Sequence, residues 1–560
     1  MKFFNAIKKK AKWITVSTVL VSGVVVLSAS SDQYFQISKN LDIFATLFKE
    51  LNVYYVDDTE PGELMKVGID AMLESLDPYT VYYPESQIED FRFMTTGQYG
   101  GIGALIRKVD DYVIITEPYE GFPAYKAGLR AGDQILEVDG KTAEGKSSGE
   151  ISKVLKGQPN SELKLKIQRP GVDEPFEVTL TRMEVKINDV PYYGVVGENT
   201  GYIKLTSFTE TASKEVKEAF GELKDDHQIE SLILDLRGNG GGLLREAVNI
   251  VNIFVKKGQE VVFTKGKVSQ WDHSHRTINS PMDLEIPLVV LVNESSASAS
   301  EIVAGTLQDI DRAVIIGQNS FGKGLVQQTK PLSYNSKLKL TVAKYYTPSG
   351  RCIQRIDYSH KDDDGIALEV PDSLITEYKT KNGRPVYDGA GIRPDIEVEI
   401  EKASPILASL LSNNYIFEYA TAFRMQHDSI SKPSSFQLND DEYTSFQQWL
   451  SDKEYDYTTT TEQLLERLEK ATKKERYYEH LTDEFSNFRE EIKHNKEKDL
   501  VTFKDQVAEV LGNEIVSRYY YSKGRIQYNL QFDRELEKAL ETFNQMDEYK
   551  SILAGPVAKN

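Results

Sequence analysis

Between Gly201 and about Ile400, short apolar runs alternate with amphipathic stretches, and few architectures tolerate that pattern. Residues 202–207, 231–236, 287–293 and 313–317 are rich in Leu, Ile and Val and read as buried strands. Residues 213–223, 243–257 and 299–309 carry the helical spacing that connects them. Strand and helix in alternation predict an α/β core with a largely parallel sheet.

The rest of the chain has other textures. At 560 residues it exceeds one hydrophobic core, so several domains are expected. Residues 32–96 show helical spacing at Ile37, Leu41, Phe44, Ala45, Phe48 and Leu51, closed by Asp77-Pro78-Tyr79-Thr80. Residues 97–183 turn glycine-rich and strand-like, with Gly100-Gly101-Ile102-Gly103, a turn at Lys126 to Asp133, a helix over 150–156 and a strand over 163–168. Residues 184–400 hold the α/β core, and 401–560 are helical, charged and tyrosine-rich, without a chemical motif.

Lys2, Lys8, Lys9, Lys10 and Lys12 precede an apolar run from Trp13 to Ala29, followed by small residues. A basic start, an apolar segment and small residues describe an export signal. The run also approaches the length of a membrane span, so residues 1–31 are a signal peptide or an inner-membrane anchor. A net charge of −19 argues against nucleic acid, whose phosphates require a basic footprint. Cys352 is the single cysteine, so no intrachain disulfide forms, and cysteine usage assigns no compartment.

Three segments of the core carry chemistry. Ser295-Ser296-Ala297-Ser298-Ala299-Ser300-Glu301 follows the strand at 287–293 and opens a helix. A serine there projects beside unpaired N–H groups that favour developing negative charge, although serines at such places often only cap the helix. Ser320-Phe321-Gly322-Lys323-Gly324 sets a lysine between glycines and apolar neighbours. Burial disfavours an ammonium, and a lysine made neutral can take a proton from serine. No Ser or Thr follows Lys323 and the full phosphate-loop pattern is absent, so that rival is discarded. In Asp235-Leu236-Arg237-Gly238-Asn239-Gly240-Gly241-Gly242 an apolar strand runs into glycines. They can turn backbone amides toward a substrate oxygen, or simply make a tight loop.

Together these segments resemble the Ser-Lys C-terminal processing (tail-specific) proteases, serine peptidase family S41 with a PDZ domain. The resemblance spans about 32–400 and takes in D-P-Y-T, D-L-R-G-N-G-G-G, S-A-S-A-S-E, F-G-K-G and the segments at 347–351 and 391–395. It implies a multidomain α/β and α+β chain: a ClpP/crotonase-like protease core, a PDZ-like domain and helical N- and C-terminal regions. It further implies Ser298 as nucleophile, Lys323 as general base, Gln327 as the residue that orients the lysine, and oxyanion donors at Ala299 and Gly242, with Gly241 behind them. For Gln327 to reach Lys323, the chain after Gly322 is expected to be helical or sharply turned.

The PDZ resemblance implies protein or peptide substrates held by their C-terminal tails, as an added strand whose carboxylate sits in a nest of N–H groups. Gly100, Gly101, Ile102 and Gly103 are the candidate carboxylate loop, and Ile151, Val154 and Leu155 the candidate groove, unless those apolar residues are domain core. Glycines flanking this module, Gly97 and Gly194, suggest a hinge. No metal or cofactor is implied; the seven histidines are scattered, and His273 and His275 alternate in a polar loop. The rival reading is a catalytically inert PDZ scaffold of the cell envelope, and an acyl-CoA enzyme on the same core is a second. The helical C-terminal region is a candidate surface for self-association or an adaptor.

Overall fold

The computed structural model describes residues 34–556 except 454, 456 and 497. The lysine-rich start and the apolar run to Ala29 lie outside the described residues. Among those described, no helix is long and apolar enough to cross a membrane.

Two compact units divide at Tyr82/Tyr83. In the first, a helix over 34–54 is followed by Pro61–Glu74, which begins with proline at its first turn, where no N–H is required. The Asp77 carboxylate then accepts the N–H groups of Tyr79 and Thr80, both at 2.8 Å, and closes the D-P-Y-T turn.

The second unit begins with the PDZ-like fold. Its sheet runs Ala104–Val109, Tyr112–Pro118, Gln134–Val138, Glu162–Gln168, Phe176–Thr181, antiparallel throughout. In Glu162–Gln168 the alternate residues Leu163, Leu165 and Ile167 point inward and are buried, as a half-exposed sheet requires. Helix Ser148–Leu155 starts at a capping box in which Ser147 and Glu150 satisfy each other's backbone N–H. Strands Gln98–Gly101 and Met183–Lys186 pair at the entrance and exit of the domain.

The α/β core is built on a separate, six-stranded sheet. Its order is Tyr192–Val196, Thr200–Lys204, Ser231–Asp235, Leu288–Val292, Val314–Gly317, Ile396–Glu397, parallel except for the first pair. All five residues of Leu288–Val292 are buried, the uninterrupted apolar pattern of a strand covered on both faces. On one face lie Ala212–His227, Leu244–Phe254 and Ala299–Asp309, which share a core with alternate strand residues.

The other face is covered from the far end of the chain. Helices Arg534–Asn544 and Met546–Ala554 put Leu536, Ala539, Phe543 and Tyr549 against Tyr202, Ile233, Val289, Leu291, Val314 and Ile316. The Tyr549 hydroxyl accepts the Leu288 N–H at 2.9 Å. The region after 401 therefore does not stay apart from the core: its last two helices complete it, while Pro405–Ser412 through Lys504–Asn529 build a separate helical core of their own.

Gly194 is no hinge. It lies within strand Tyr192–Val196 opposite Tyr202, and a Cβ there would come 2.7 Å from the Tyr192 hydroxyl. Gly97 is the left-handed cap of helix Ile88–Thr96, with its N–H bound to the Phe93 carbonyl.

Candidate active site

Ser298 stands where strand Leu288–Val292 has ended and helix Ala299–Asp309 begins, with φ 56° and ψ −108°. A non-glycine residue in that region is strained and persists only when its surroundings hold it. They hold it firmly. Ser296 donates to the Leu236 carbonyl at 2.9 Å, Ser300 to the Asn239 carbonyl at 2.9 Å, and the Ala297 N–H bonds the same Asn239 carbonyl at 3.0 Å. Both outer serines are buried and spent on structure, and Ser298 is the half-exposed one.

The glycine loop lies against this turn. A Cβ on Gly241 would meet the Ala297 oxygen at 2.6 Å and both the Ala299 nitrogen and the Ser298 Cβ at 2.9 Å, so only glycine fits. The Gly241 N–H is taken by the Asn239 side-chain oxygen at 2.9 Å. Gly241 thus supplies close approach rather than an oxyanion donor, which corrects the place given to it above. The N–H groups of Gly242 and Ala299 have no hydrogen bond to protein among the described residues. Gly242 itself is fixed by its neighbours, since Phe208 donates to the Gly241 carbonyl and accepts from the Leu243 N–H.

The lysine segment joins through a residue that the sequence reading passed over. Glu301, one turn into the Ser298 helix, is fully buried, and its carboxylate receives four donors. Oε2 accepts the N–H of Ser298 at 2.7 Å and of Lys323 at 2.9 Å. Oε1 accepts the Ser320 hydroxyl at 2.5 Å and the Gly322 N–H at 2.7 Å. One oxygen thus ties the backbones of Ser298 and Lys323 together, and their nitrogens lie no further apart than those two bonds reach. Burial raises the Glu301 carboxyl to about 7, even though the hydrogen bonds from Ser320, Lys323, Gly322 and Ser298 pull it down. The signal for it was the final letter of S-A-S-A-S-E, at the helix position where a capping box places glutamate.

After Gly322, where a helix or a sharp turn is expected, residues 323–324 are irregular and run directly into a strand. Leu325–Pro331 is a strand paired with Lys337–Tyr346, with an irregularity between Val326 and Gln327. Pairing with Lys337–Tyr346 won over the local contact that a helix would have made. The Gln327 amide donates to the Thr341 hydroxyl across the ladder at 3.2 Å. If the glutamine acts on the lysine by way of this hydrogen bond, Gln327→Ala and Thr341→Val should lower kcat by similar factors. The double variant should then lose no more than either single one, whereas independent roles would multiply.

The segments at 347–351 and 391–395 turn out to serve the opposite end of the Ser298 helix. Fully buried Arg351 donates to the Gln308 side-chain oxygen and to Asp309, both at 2.8 Å. Arg384 donates to the Gln308 carbonyl at 2.8 Å and pairs with Asp311 and Asp395. Cations at a helix C-terminus complement its dipole and satisfy its last carbonyls. The strand that feeds the glycine loop is anchored likewise. Burial alone would raise the Asp235 carboxyl, but Arg237 and Lys204 outweigh it and hold it below the usual carboxylate range. Arg237 in turn pairs with Asp533 and Glu535.

In the PDZ-like domain, Gly100 and Gly101 belong to the strand paired with Met183–Lys186, and the Gly100 carbonyl accepts the Gly157 N–H. The carbonyls of Ile102 and Gly103 accept from Ala124 and Tyr119, both at 2.8 Å, and their N–H groups meet no protein acceptor among the described residues. Ile151 and Leu155 are domain core, the alternative left open for the groove residues, and the Ile102 side chain of the carboxylate loop is packed there too. Val154 is 45% exposed. Strand Ala104–Val109 is an edge, paired only with Tyr112–Pro118. His273 and His275 lie on a strand beside Glu260–Gly266, and no group of three metal-ligating side chains occurs among the described residues.

A serine held in a strained turn at a helix N-terminus, with free amides on one side and a lysine loop on the other, suits acyl transfer, so fold and site together define a serine-type peptidase. Comparison with known proteins agrees. The pattern of peptidase family S41 matches residues 199–363, a PDZ domain 114–169, and the C-terminal helical domain of probable PDZ-proteases 406–543. A carboxy-terminal-processing protease of Bartonella bacilliformis is 35% identical over 374 residues, covering 66% of this chain and 82% of that protein. A probable CtpA-like serine protease of Staphylococcus aureus is 35% identical over 350 residues, 61% of this chain and 69% of the other. Among solved structures, the photosystem II D1 C-terminal processing protease is 29% identical, with 64% of this chain and 92% of that one covered at a TM-score of 0.34. The chain belongs to peptidase family S41, with the carboxy-terminal-processing proteases that carry a PDZ domain.

Proposed function

We propose that the enzyme is an endopeptidase that captures the C-terminal tails of proteins on its PDZ domain and cuts them through a Ser298 acyl-enzyme. Lys323 in its neutral form takes the Ser298 hydroxyl proton as Oγ bonds to the substrate carbonyl carbon. The negative charge that develops on the carbonyl oxygen is met by the N–H groups of Ala299 and Gly242. The C–N bond breaks, the leaving amine receives the proton from Lys323, and water then releases the acyl group by the same steps in reverse roles. Gln327, to which the family resemblance gives the role of orienting the lysine, donates to Thr341 on the paired strand. The observation that carries this reading is the shared Glu301 oxygen, which brings the backbones of Ser298 and Lys323 to one point. An inert scaffold would not need that strained and fully braced serine.

For the tail, edge strand Ala104–Val109 offers a ladder and the N–H groups of Ile102 and Gly103 offer donors for a terminal carboxylate. The lysines and apolar run of residues 1–31 support export to the cell envelope. Binding a tail favours the competent state only by its differential affinity for that state. The test uses short substrates that lack a preferred tail, with a separate tail peptide added. Activation predicts faster cleavage as the peptide is titrated in. A passive tether predicts no change or competition, and that result would remove the switch and keep the tether.

A further inference from the structure

The geometry points to Glu301 as a positioning residue of the peptidase, whose ionised carboxylate sets the separation of nucleophile and base. The inference rests on the Ser298–Lys323 reading above. Its ground is the division of labour between the two oxygens. Oε2 alone bridges the Ser298 and Lys323 amides, while Oε1 fixes the turn at Ser320 and Gly322 that leads into the lysine. The Ser320 hydroxyl is itself held, accepting the Ile392 N–H at 2.6 Å. The Phe321 N–H bonds the Ser296 carbonyl at 3.0 Å, so the lysine loop is stitched to the serine turn twice.

Such a cluster binds most tightly when the glutamate is charged. Three of its four partners are backbone N–H groups, which cannot accept a proton. A protonated carboxyl could place its proton only on the Ser320 hydroxyl, the one partner able to accept it, and as a neutral acceptor it would hold the three N–H groups more weakly. Position favours the anion, because Glu301 lies in the first turn of its helix. Burial opposes it. The titratable group shown beside it is Tyr345 from strand Lys337–Tyr346, while Lys323 reaches it through its backbone N–H. The Tyr345 hydroxyl donates to the Ser298 carbonyl at 3.2 Å, and burial first, then the neighbouring Glu301, holds it well above its ordinary value. Residues 238–242 of the glycine loop carry no ionisable side chain.

The sign of the pH effect follows. A carboxyl raised from 4.5 to about 7 by folding contributes stability that is full below pH 4.5 and is lost as pH rises through about 7. Activity runs the other way, since the site is assembled as Glu301 ionises. Two deprotonations, of Glu301 and of Lys323, are therefore required for turnover.

The test measures kcat and KM for the full chain from pH 5.5 to 9.5, on casein and on a quenched peptide spanning a mapped casein cut. Wild type, Glu301→Gln and Ser298→Ala are compared. The amide keeps the volume but places an NH2 against N–H donors on one side or the other. Glu301→Gln should lower kcat by about 100-fold or more with KM changed by less than about threefold. In the wild type, the plot of log kcat/KM should steepen from unit slope to a slope of two below about pH 7, and residual activity of the variant should keep unit slope throughout. The wild-type slope stands whether or not the variant folds. Unit slope in the wild type, or a Glu301→Gln enzyme within about fivefold of wild-type kcat, overturns the inference while Ser298→Ala remains dead. An active Ser298→Ala would instead overturn the Ser–Lys reading on which it rests.

Discussion

Lys323→Arg is expected to abolish turnover and leave the fold untouched. The guanidinium stays protonated at every pH the fold survives, so it cannot accept the serine proton. A lysine can, once neutral, although its ordinary value near 10.4 means that little of it is neutral at pH 7 without help from its surroundings. Loss of the base in such a pair costs about 10³-fold or more in kcat. The backbone N–H of residue 323 donates to Glu301 whatever the side chain, so that tie to the serine helix is kept. The side chain is half-buried, so the longer arginine has a solvent direction to take. Near-ultraviolet circular dichroism should match wild type. Retention of more than about one per cent of kcat would show that another group takes the proton. In the wild type kcat/KM should climb with pH until the lysine is neutral.

How legible this was in advance depended on distance along the chain. Strands such as Leu288–Val292 were plain, because burial on both faces writes an unbroken apolar run into the sequence. The three chemical segments were legible because each is a contiguous exception to local rules: a serine cluster at a strand end, a lysine between glycines, and a glycine run after a strand. Glu301 escaped because a glutamate three residues into a helix reads as an ordinary cap, and its other donors come from Ser320, Gly322 and Lys323, some twenty residues on. The Gln327 geometry was missed for a related reason. A spacing of four suggests a helix, but pairing with Lys337–Tyr346 decides the conformation there. Arg351 and Arg384 show the same limit, since nothing near them in sequence announces the helix end that they hold.

The C-terminal helices are the extreme case, and they carry the second large effect. Ending the chain after Phe532 should leave a protein without a folded protease core. Leu536, Ala539, Phe543 and Tyr549 are buried against Ile233, Val289, Leu291 and Ile316, residues at the centre of the parallel sheet. Burying a large apolar side chain is worth about 1.5–3 kcal/mol, and three of these four are large. A domain's whole margin is about 5–15 kcal/mol, so uncovering that face consumes most of it. Electrostatics add to the loss. Arg237, at the mouth of the glycine loop, would lose both Asp533 and Glu535 and keep only Asp235. Phe543→Ala offers a graded version and should cost about 3–5 kcal/mol, lowering the melting temperature while leaving an active native fraction. Tyr549→Phe removes only the hydroxyl that meets Leu288 and should cost about 1 kcal/mol. Heating curves of the three variants should therefore fall in that order. If the truncated chain instead melts cooperatively near wild type and cuts casein, the two helices are a cover that the sheet does without, and its exposed face must be stabilised from elsewhere.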